Sequence, residues 1–331
     1  MHSPRLSRRD VLRAAAAASA VGTVPFVRAQ GSAWPAKPVQ LIVPFPAGGG
    51  TDAFARPLSA QFAAQTKHQL IIDNKGGAGG TVGATLASRA APDGYNFFMG
   101  AVHHTIAPSI YTRLEYDLQK DLIPISLVAR VPQVLVVNPT RIPAKDYKEF
   151  LAMVKSSPGK YNYASAGNGT SHHLAGELFK LQTRTFITHI PYRGAGPALQ
   201  DLITGSADLM FDGLGSSAAH IKGGRIKALM VAGTKRVPAF ADVPAAGEVG
   251  LPDYTVTTWY GIWAPKGTPT EIQQRMHEEV RKAVQSDNLK AVWASQGAEF
   301  PNLSQLQFAS FIDTEIKRWA GVVKAAGIKA D

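Results

Sequence analysis

Cysteine is absent from all 331 residues. That excludes disulfides, thiolate-bound zinc, iron–sulfur clusters and thiol nucleophiles together, and with them a lipid-anchored N-terminal cysteine. Beyond about residue 27 no apolar run approaches the roughly 20 residues of a membrane-spanning helix. No cluster of Lys and Arg with interleaved aromatics is present, so nucleic acid is not an expected partner. Catalytic signatures are missing too. A G-x-S-x-G elbow fails because Tyr163 stands where glycine would have to precede Ser165. There is no H-E-x-x-H, and no G-K-[ST] follows any glycine-rich turn.

What is present begins with an address. Ser7-Arg8-Arg9-Asp10-Val11-Leu12-Arg13 is a twin-arginine pattern, followed by an Ala-rich apolar run to Val27 and a small-residue site at Val27-Arg28-Ala29. Residues 1–29 therefore read as a cleaved export signal of the twin-arginine type, with general secretion the alternative because Val11 replaces the commoner Phe. The full chain carries a formal charge of +11. Residues 1–29 hold five arginines and one aspartate, so their removal leaves +7, which suits acidic small ligands.

The rest alternates short apolar runs with helical patterns. Expected strands are 39–43, 69–73, 95–99, 134–138, 161–164, 186–190, 207–211 and 226–231, each followed by a Gly-, Asn- or Ser-rich turn. This is the βα rhythm of open parallel or mixed sheets, in which ligands sit at the carboxyl ends of strands. About 300 residues exceed one comfortable core, so two domains are expected. Val131-Pro132 and the Pro- and Gly-rich stretch 237–253 read as two crossings. They divide the chain into a discontinuous first lobe, 30–133 with 254–331, and a second lobe, 134–253. Near the C-terminus, Thr268-Pro269-Thr270-Glu271 and Ser304-Gln305-Leu306-Gln307 read as helix-capping signals. Ile272, Met276, Val280 and Val284 then recur on one core-facing side.

Five turns could carry a ligand: Pro44–Asp52, Gly76–Gly83, Ala101–Thr105, Ser165–His173 and Pro191–Gly196. The first runs from a strand into a helix through Ala47-Gly48-Gly49-Gly50, which aims bare backbone N–H groups at the positive end of a helix dipole. Neutral donors dominate all five: Thr51, Thr105, Ser165, Asn168, Thr170 and Ser171. An anion held that way is small and releasable. His103-His104 and His172-His173 invite a metal reading. Adjacent side chains diverge, however, and no matching carboxylate stands at ligand spacing, so the expectation is no metal. One His of each pair is expected in the cleft or packing and the other exposed.

In order along the chain, Trp34-Pro35-Ala36-Lys37-Pro38, Ile42–Gly49, Asn74–Gly80, Pro92-Asp93-Gly94-Tyr95, Ser165-Ala166-Gly167-Asn168-Gly169, Pro191-Tyr192-Arg193-Gly194, Phe211-Asp212, Trp259-Tyr260-Gly261 and Ala264–Pro269 form a set of motifs. Their order resembles that of the periplasmic solute-binding proteins of tripartite tricarboxylate transporters, the Bug or TctC family. The resemblance spans essentially the whole chain beyond residue 30. It implies an α/β, two-lobed periplasmic-binding-protein fold of type II-like form, with mixed sheets flanked by helices and a ligand cleft between the lobes. It implies a monomer in the periplasm that takes a small organic carboxylate, has no cofactor and does no catalysis, and hands its ligand to membrane permease subunits. By position it places Ala47, Gly48, Gly49 and Asp52 on the first lobe's ligand loop, and Ser165, Ala166, Gly167, Asn168 and Thr170 on the second's. Tyr192 and Asp212 fall at the cleft. His103, His104 and Thr105 form the third turn, and the two His depart from the small hydroxyl residues usual in the family. Gly76 in place of Pro and Ala245 in place of Thr are further departures. An exported cofactor-dependent oxidoreductase and a carboxylate sensor feeding a signalling system are the alternatives.

Overall fold

The computed structural model describes residues 34–328, so the export signal expected at 1–29 lies outside the described residues. Strand β1 (Val39–Val43) pairs in parallel with β2 (Leu70–Asn74) and with β3 (Asn96–Ala101). All but one β1 position is buried, as a parallel strand covered on both faces requires. Between them run α1 (Gly50–Thr66) and α2 (Thr81–Ser88), and α3 (His103–Ile110) follows β3.

Strand β4 (Leu122–Val137) is 16 residues long and serves both halves of the sheet. Leu122–Pro132 pairs antiparallel with β9 (Thr257–Pro265), which itself lies antiparallel to β3. Gln133–Val137 pairs with β7 (Leu209–Gly213), and Val134–Val137 with β8 (Lys227–Val231). Strands β5 (Asn162–Ser165) and β6 (Thr188–Pro191) extend the second half in parallel, giving the order β2-β1-β3-β9-β4-β7-β5-β6 with β8 also on β4. The expected strand at 134–138 is thus only the end of a longer one. Pro124 masked its beginning, and the register shifts beside Pro124 and between Leu127 and Ala129 show how the strand absorbs it.

Helices of the second half are α4 (Tyr147–Ser156), α5 (Ser171–Thr183), α6 (Ala195–Thr204) and α7 (Leu214–Lys222). The chain ends in α8 (Thr270–Gln285), α9 (Asp287–Ala294) and α10 (Gln305–Ala326). Ser304 caps α10 as its sequence predicts: its hydroxyl accepts from Gln307 N at 3.2 Å and Gln307 Oε1 accepts from Ser304 N at 2.8 Å. The capping box expected at Thr268 does not form. Its hydroxyl turns back to Pro265 O at 2.8 Å, and Pro269 occupies the cap position without a side-chain bond.

One buried cluster runs from Phe98, Trp263 and Phe308 through Trp259 to Tyr254, Phe179 and Phe150, so core packing continues across both sheet halves. A smaller cluster under α6 and α7 contains Val134, Ala164, Leu199, Met210 and Leu214. The βα connections after β1, β3, β5, β6 and β7 deliver the starts of α1, α3, α5, α6 and α7. These are the strand ends at which open α/β sheets hold ligands.

Candidate functional site

The loop after β1 is tied down by a buried carboxylate. Asp52 Oδ2 accepts from Gly48 N at 3.0 Å and Arg56 Nε at 2.8 Å, and Oδ1 accepts from Asn74 Nδ2 at 3.2 Å. Asn74 Nδ2 also donates to Phe45 O at 2.8 Å. Both Asp52 oxygens are thereby spent on the loop itself. Gly48 sits at φ +84°, a left-handed conformation that favours glycine. Ala53 N makes the first helical bond, to Gly49 O at 2.9 Å. The amides of Gly50, Thr51 and Asp52 precede it and have no acceptor within the helix.

Across the site stands the start of α6. A Cβ on Gly196 would lie 2.5 Å from Ala47 O, and one on Gly49 would lie 3.5 Å from Gly196 N. The first loop and the α6 start therefore meet backbone to backbone. The loop after β5 builds the adjoining wall. Thr170 caps α5 by accepting from His173 N at 3.4 Å and donates to Gly167 O at 2.7 Å. Ser165 Oγ accepts from Gly167 N at 3.1 Å and meets His189 Nε2 at 2.6 Å. At the rim, Tyr111 donates its hydroxyl to Asn168 O at 2.9 Å.

These elements border a small, partly open cavity of about 10 Å3, room for the centre of roughly one water. Phe45, Gly49, Gly50, Thr51 and His103 line one side, and Ala166, His172, Ala195 and Tyr260 complete it. No Lys or Arg is among these residues. Lys75 is paired with Asp73 at 3.0 Å, and Arg193 is exposed. A larger open groove of about 630 Å3 lies where β4 crosses between the halves, bordered by Arg130 and Lys235, and no helix starts converge on it.

Burial disfavours protonation of the four paired histidines. His103 Nδ1 accepts from Ser171 N at 3.0 Å, which leaves Nε2 as the ring's donor. Burial, then the neighbouring His172 and His104, holds its protonation well below the usual range. His104 Nδ1 accepts from Ala101 N at 3.0 Å while Nε2 faces Gly80 O at 3.3 Å; burial pushes it down to about 4. The His103 ring packs edge-on against Phe45 at 5.2 Å and His172 at 5.5 Å. His172 is also lowered by burial, against an opposing pull from Asp212. The Tyr260 hydroxyl is pushed up by burial and then by Asp212.

Of the residues expected at the site, Gly49, His103 and Ala166 line the cavity. Ala47 and Gly48 stand exposed at its rim, with Asn168 half-buried nearby. Asp52, Ser165, Gly167 and Thr170 shape the loops from behind. Thr105 is buried and donates to Val102 O at 2.7 Å. Tyr192 directs its hydroxyl to Asp201 Oδ2 at 2.8 Å, onto α6. Asp212 lies wholly buried beneath the cavity, where Oδ2 accepts from Ser216 at 2.7 Å and Ser217 at 2.5 Å. The expectation that one His of each pair is exposed is corrected: His103, His104, His172 and His173 are all buried, because each pair opens a helix and the two helix starts pack against each other, His103 on His172 and Ser171. Phe45, Gly50, Thr51, His172 and Ala195, from the ligand turns but not among the residues singled out for the site, also line it, and Tyr260 of β9 joins them from outside those turns. All lie inside motifs visible in the sequence, but only strand register and helix docking bring them together. Among the described residues no group of His, Asp and Glu is arranged to hold a metal.

Comparison with known proteins gives a consistent result. The sequence model of the tripartite tricarboxylate transporter family receptor matches residues 54–328. The periplasmic binding protein BugD superposes with a TM-score of 0.87 at 33% identity, covering 90% of this chain and 100% of BugD. An R. palustris protein solved with adipate gives 0.86 at 33% identity, with coverage of 89% and 99%. MatC from Rhodopseudomonas palustris with bound malate gives 0.82 at 34%, with coverage of 88% and 100%. Fold, motif order and extent of match agree: the chain belongs to the tripartite tricarboxylate transporter receptor family and has the periplasmic-binding-protein fold.

Proposed function

We propose that the chain captures a small organic carboxylate in the cleft between the α1 and α6 helix starts, in the periplasm, and delivers it unchanged to membrane permease subunits of a tripartite transporter. Residues 30–133 with 254–331 form one lobe and 134–253 the other, hinged where β4 and the approach to β9 cross. The observation that carries this reading is the pairing of two helix N-termini across a small cavity whose lining has no cation. Unsatisfied amides and helix dipoles suit a carboxylate held by neutral donors. With room for about one water, the cavity admits a ligand only if the lobes part and close again. Relatives solved with adipate and malate point to the same ligand class.

Non-catalytic capture also fits the side chains. Ser165 and His189 approach at 2.6 Å, but Ser165 is fully buried, does not line the cavity, and no carboxylate among the described residues orients His189. A thermal-shift panel of mono-, di-, tri- and aromatic carboxylates tests the proposal. A ligand at 100 times its Kd stabilises by about 2.7 kcal/mol, which raises Tm by roughly 4 °C in a protein of about 300 residues. A panel in which no carboxylate shifts Tm, or purified protein that turns over a substrate, overturns it.

A further inference from the structure

We infer that His172 takes up a proton when a carboxylate enters the cleft, so that this protein captures the anion and a proton together. The inference rests on the carboxylate reading given above. It begins with charge. Asp212 is wholly buried behind the lining residue His172, 3.6 Å from its ring, and no Lys or Arg lines the cavity. A bound carboxylate therefore sits near a buried anion, with only helix starts of about half a charge each to offset it. Buried charge of one sign without a partner is costly, so a group that can become positive is drawn to do so.

Two histidines line the cavity, and the geometry separates them. His103 Nδ1 already accepts from Ser171 N, and an imidazolium cannot accept; protonation would break that bond. His172 has the opposite arrangement. Its Nε2 lies 3.6 Å from Asp212 Oδ1, and Oδ1 has no hydrogen-bond partner although Oδ2 has two. His172 Nδ1, also buried, has none either. A neutral ring carries one N–H and can serve only one of these positions as donor. A protonated ring serves both, with Nε2–H toward Asp212 and Nδ1–H free for a ligand oxygen. The other groups around it do not compete. On its own helix, Ser171 Oγ is engaged by Gln133 Nε2 of β4 at 2.9 Å, and His173 stacks on His189 at 4.1 Å. From β9, Tyr260 is held protonated, and on α7 Ser216 and Ser217 are committed to Asp212 while His220 is lowered by burial. Burial keeps His172 neutral until the ligand arrives, so the proton is gained on binding.

The test is calorimetric titration of the intact mature protein at pH 6.5 in buffers of different ionisation enthalpy. The titrant is the carboxylate giving the largest thermal shift in the panel, adipate and malate included. The expected result is a binding heat that varies with the buffer by an amount equal to about one proton taken up, and a Kd that weakens by up to about tenfold per pH unit between pH 6 and 8. The titrant's own proton release or uptake is measured separately and subtracted, and His172→Gln shares it. His172→Gln, checked for folding by circular dichroism, is expected to bind without buffer dependence. Equal heats in every buffer with a flat Kd, or proton uptake that persists in folded His172→Gln, overturn the inference while leaving carboxylate capture standing. Absence of any binding heat instead removes the functional reading on which it rests.

Discussion

Gly196→Ala is expected to weaken carboxylate binding by about 100-fold while leaving the unliganded protein as stable as the parent. The added Cβ would lie 2.5 Å from Ala47 O, 3.3 Å from Gly48 C and 3.4 Å from Gly49 N. All three are backbone atoms of the opposite loop, so no side-chain rotation relieves the contact. Overpacking of this kind costs about 1–3 kcal/mol, and the upper end corresponds to that loss of affinity when it is borne by the closed state alone. Opening the cleft removes the clash. Within α6 itself alanine is the better helix former by about 1 kcal/mol, so the open protein has no reason to lose stability. Gly321→Ala, with nothing within 4 Å of its added carbon, is the matched control. Thermal denaturation and calorimetric titration of the two variants check both halves of the expectation. Unchanged affinity in Gly196→Ala would show that the two helix starts do not close on the ligand.

The second large effect is on stability in acid. His104 is wholly buried, with Nδ1 accepting from Ala101 N, and burial pushes it from an unfolded value of 6.5 down to about 4. The sign follows from proton counting. Between those values the unfolded chain binds a proton that the folded protein refuses, so stability is present above 6.5 and is lost as pH falls toward 4. With a folded value of about 4, His104 alone should cost about 2 kcal/mol between pH 7 and pH 5. His103, His172 and His173 are lowered by the same cause and add in the same direction. Urea unfolding at the two pH values measures it, and equal midpoints would contradict a neutral, buried histidine cluster. Ligand that brings a proton to His172 should make the loss shallower.

Much of this architecture is legible in the sequence. The run Val39–Val43 is a strand to the residue because its apolar side chains have only one use, in a sheet covered on both faces. The glycine-rich turns mark helix starts, since glycine at Gly48 meets a backbone conformation that other residues resist. Met276 and Val280 recur four apart and are buried on α8. What escaped the sequence depends on long-range pairing. Pro124 hid the first half of β4 because local propensity weighs against proline in a strand, and only the partner strand β9 shows how bulges accommodate it. Tyr260 reaches the cavity because β9 pairs with β3 in the register that sets it opposite Ala101. His172 reaches it because α5 docks on α3 through the Ser171–His103 bond, 68 residues apart in sequence. Asp52 is expected at the ligand from its position in the turn. Its three hydrogen bonds, which the sequence does not reveal, also tie the turn into shape.

The most direct measurement of the central claim is a crystal structure of the protein with the carboxylate that binds tightest in the thermal-shift panel. The account predicts one carboxylate group enclosed between the Gly49–Thr51 backbone at the start of α1 and the Ala195–Gly196 backbone at the start of α6, beside His103 and His172. A ligand seated in the groove near Arg130, or anywhere in contact with neither helix start, would contradict it.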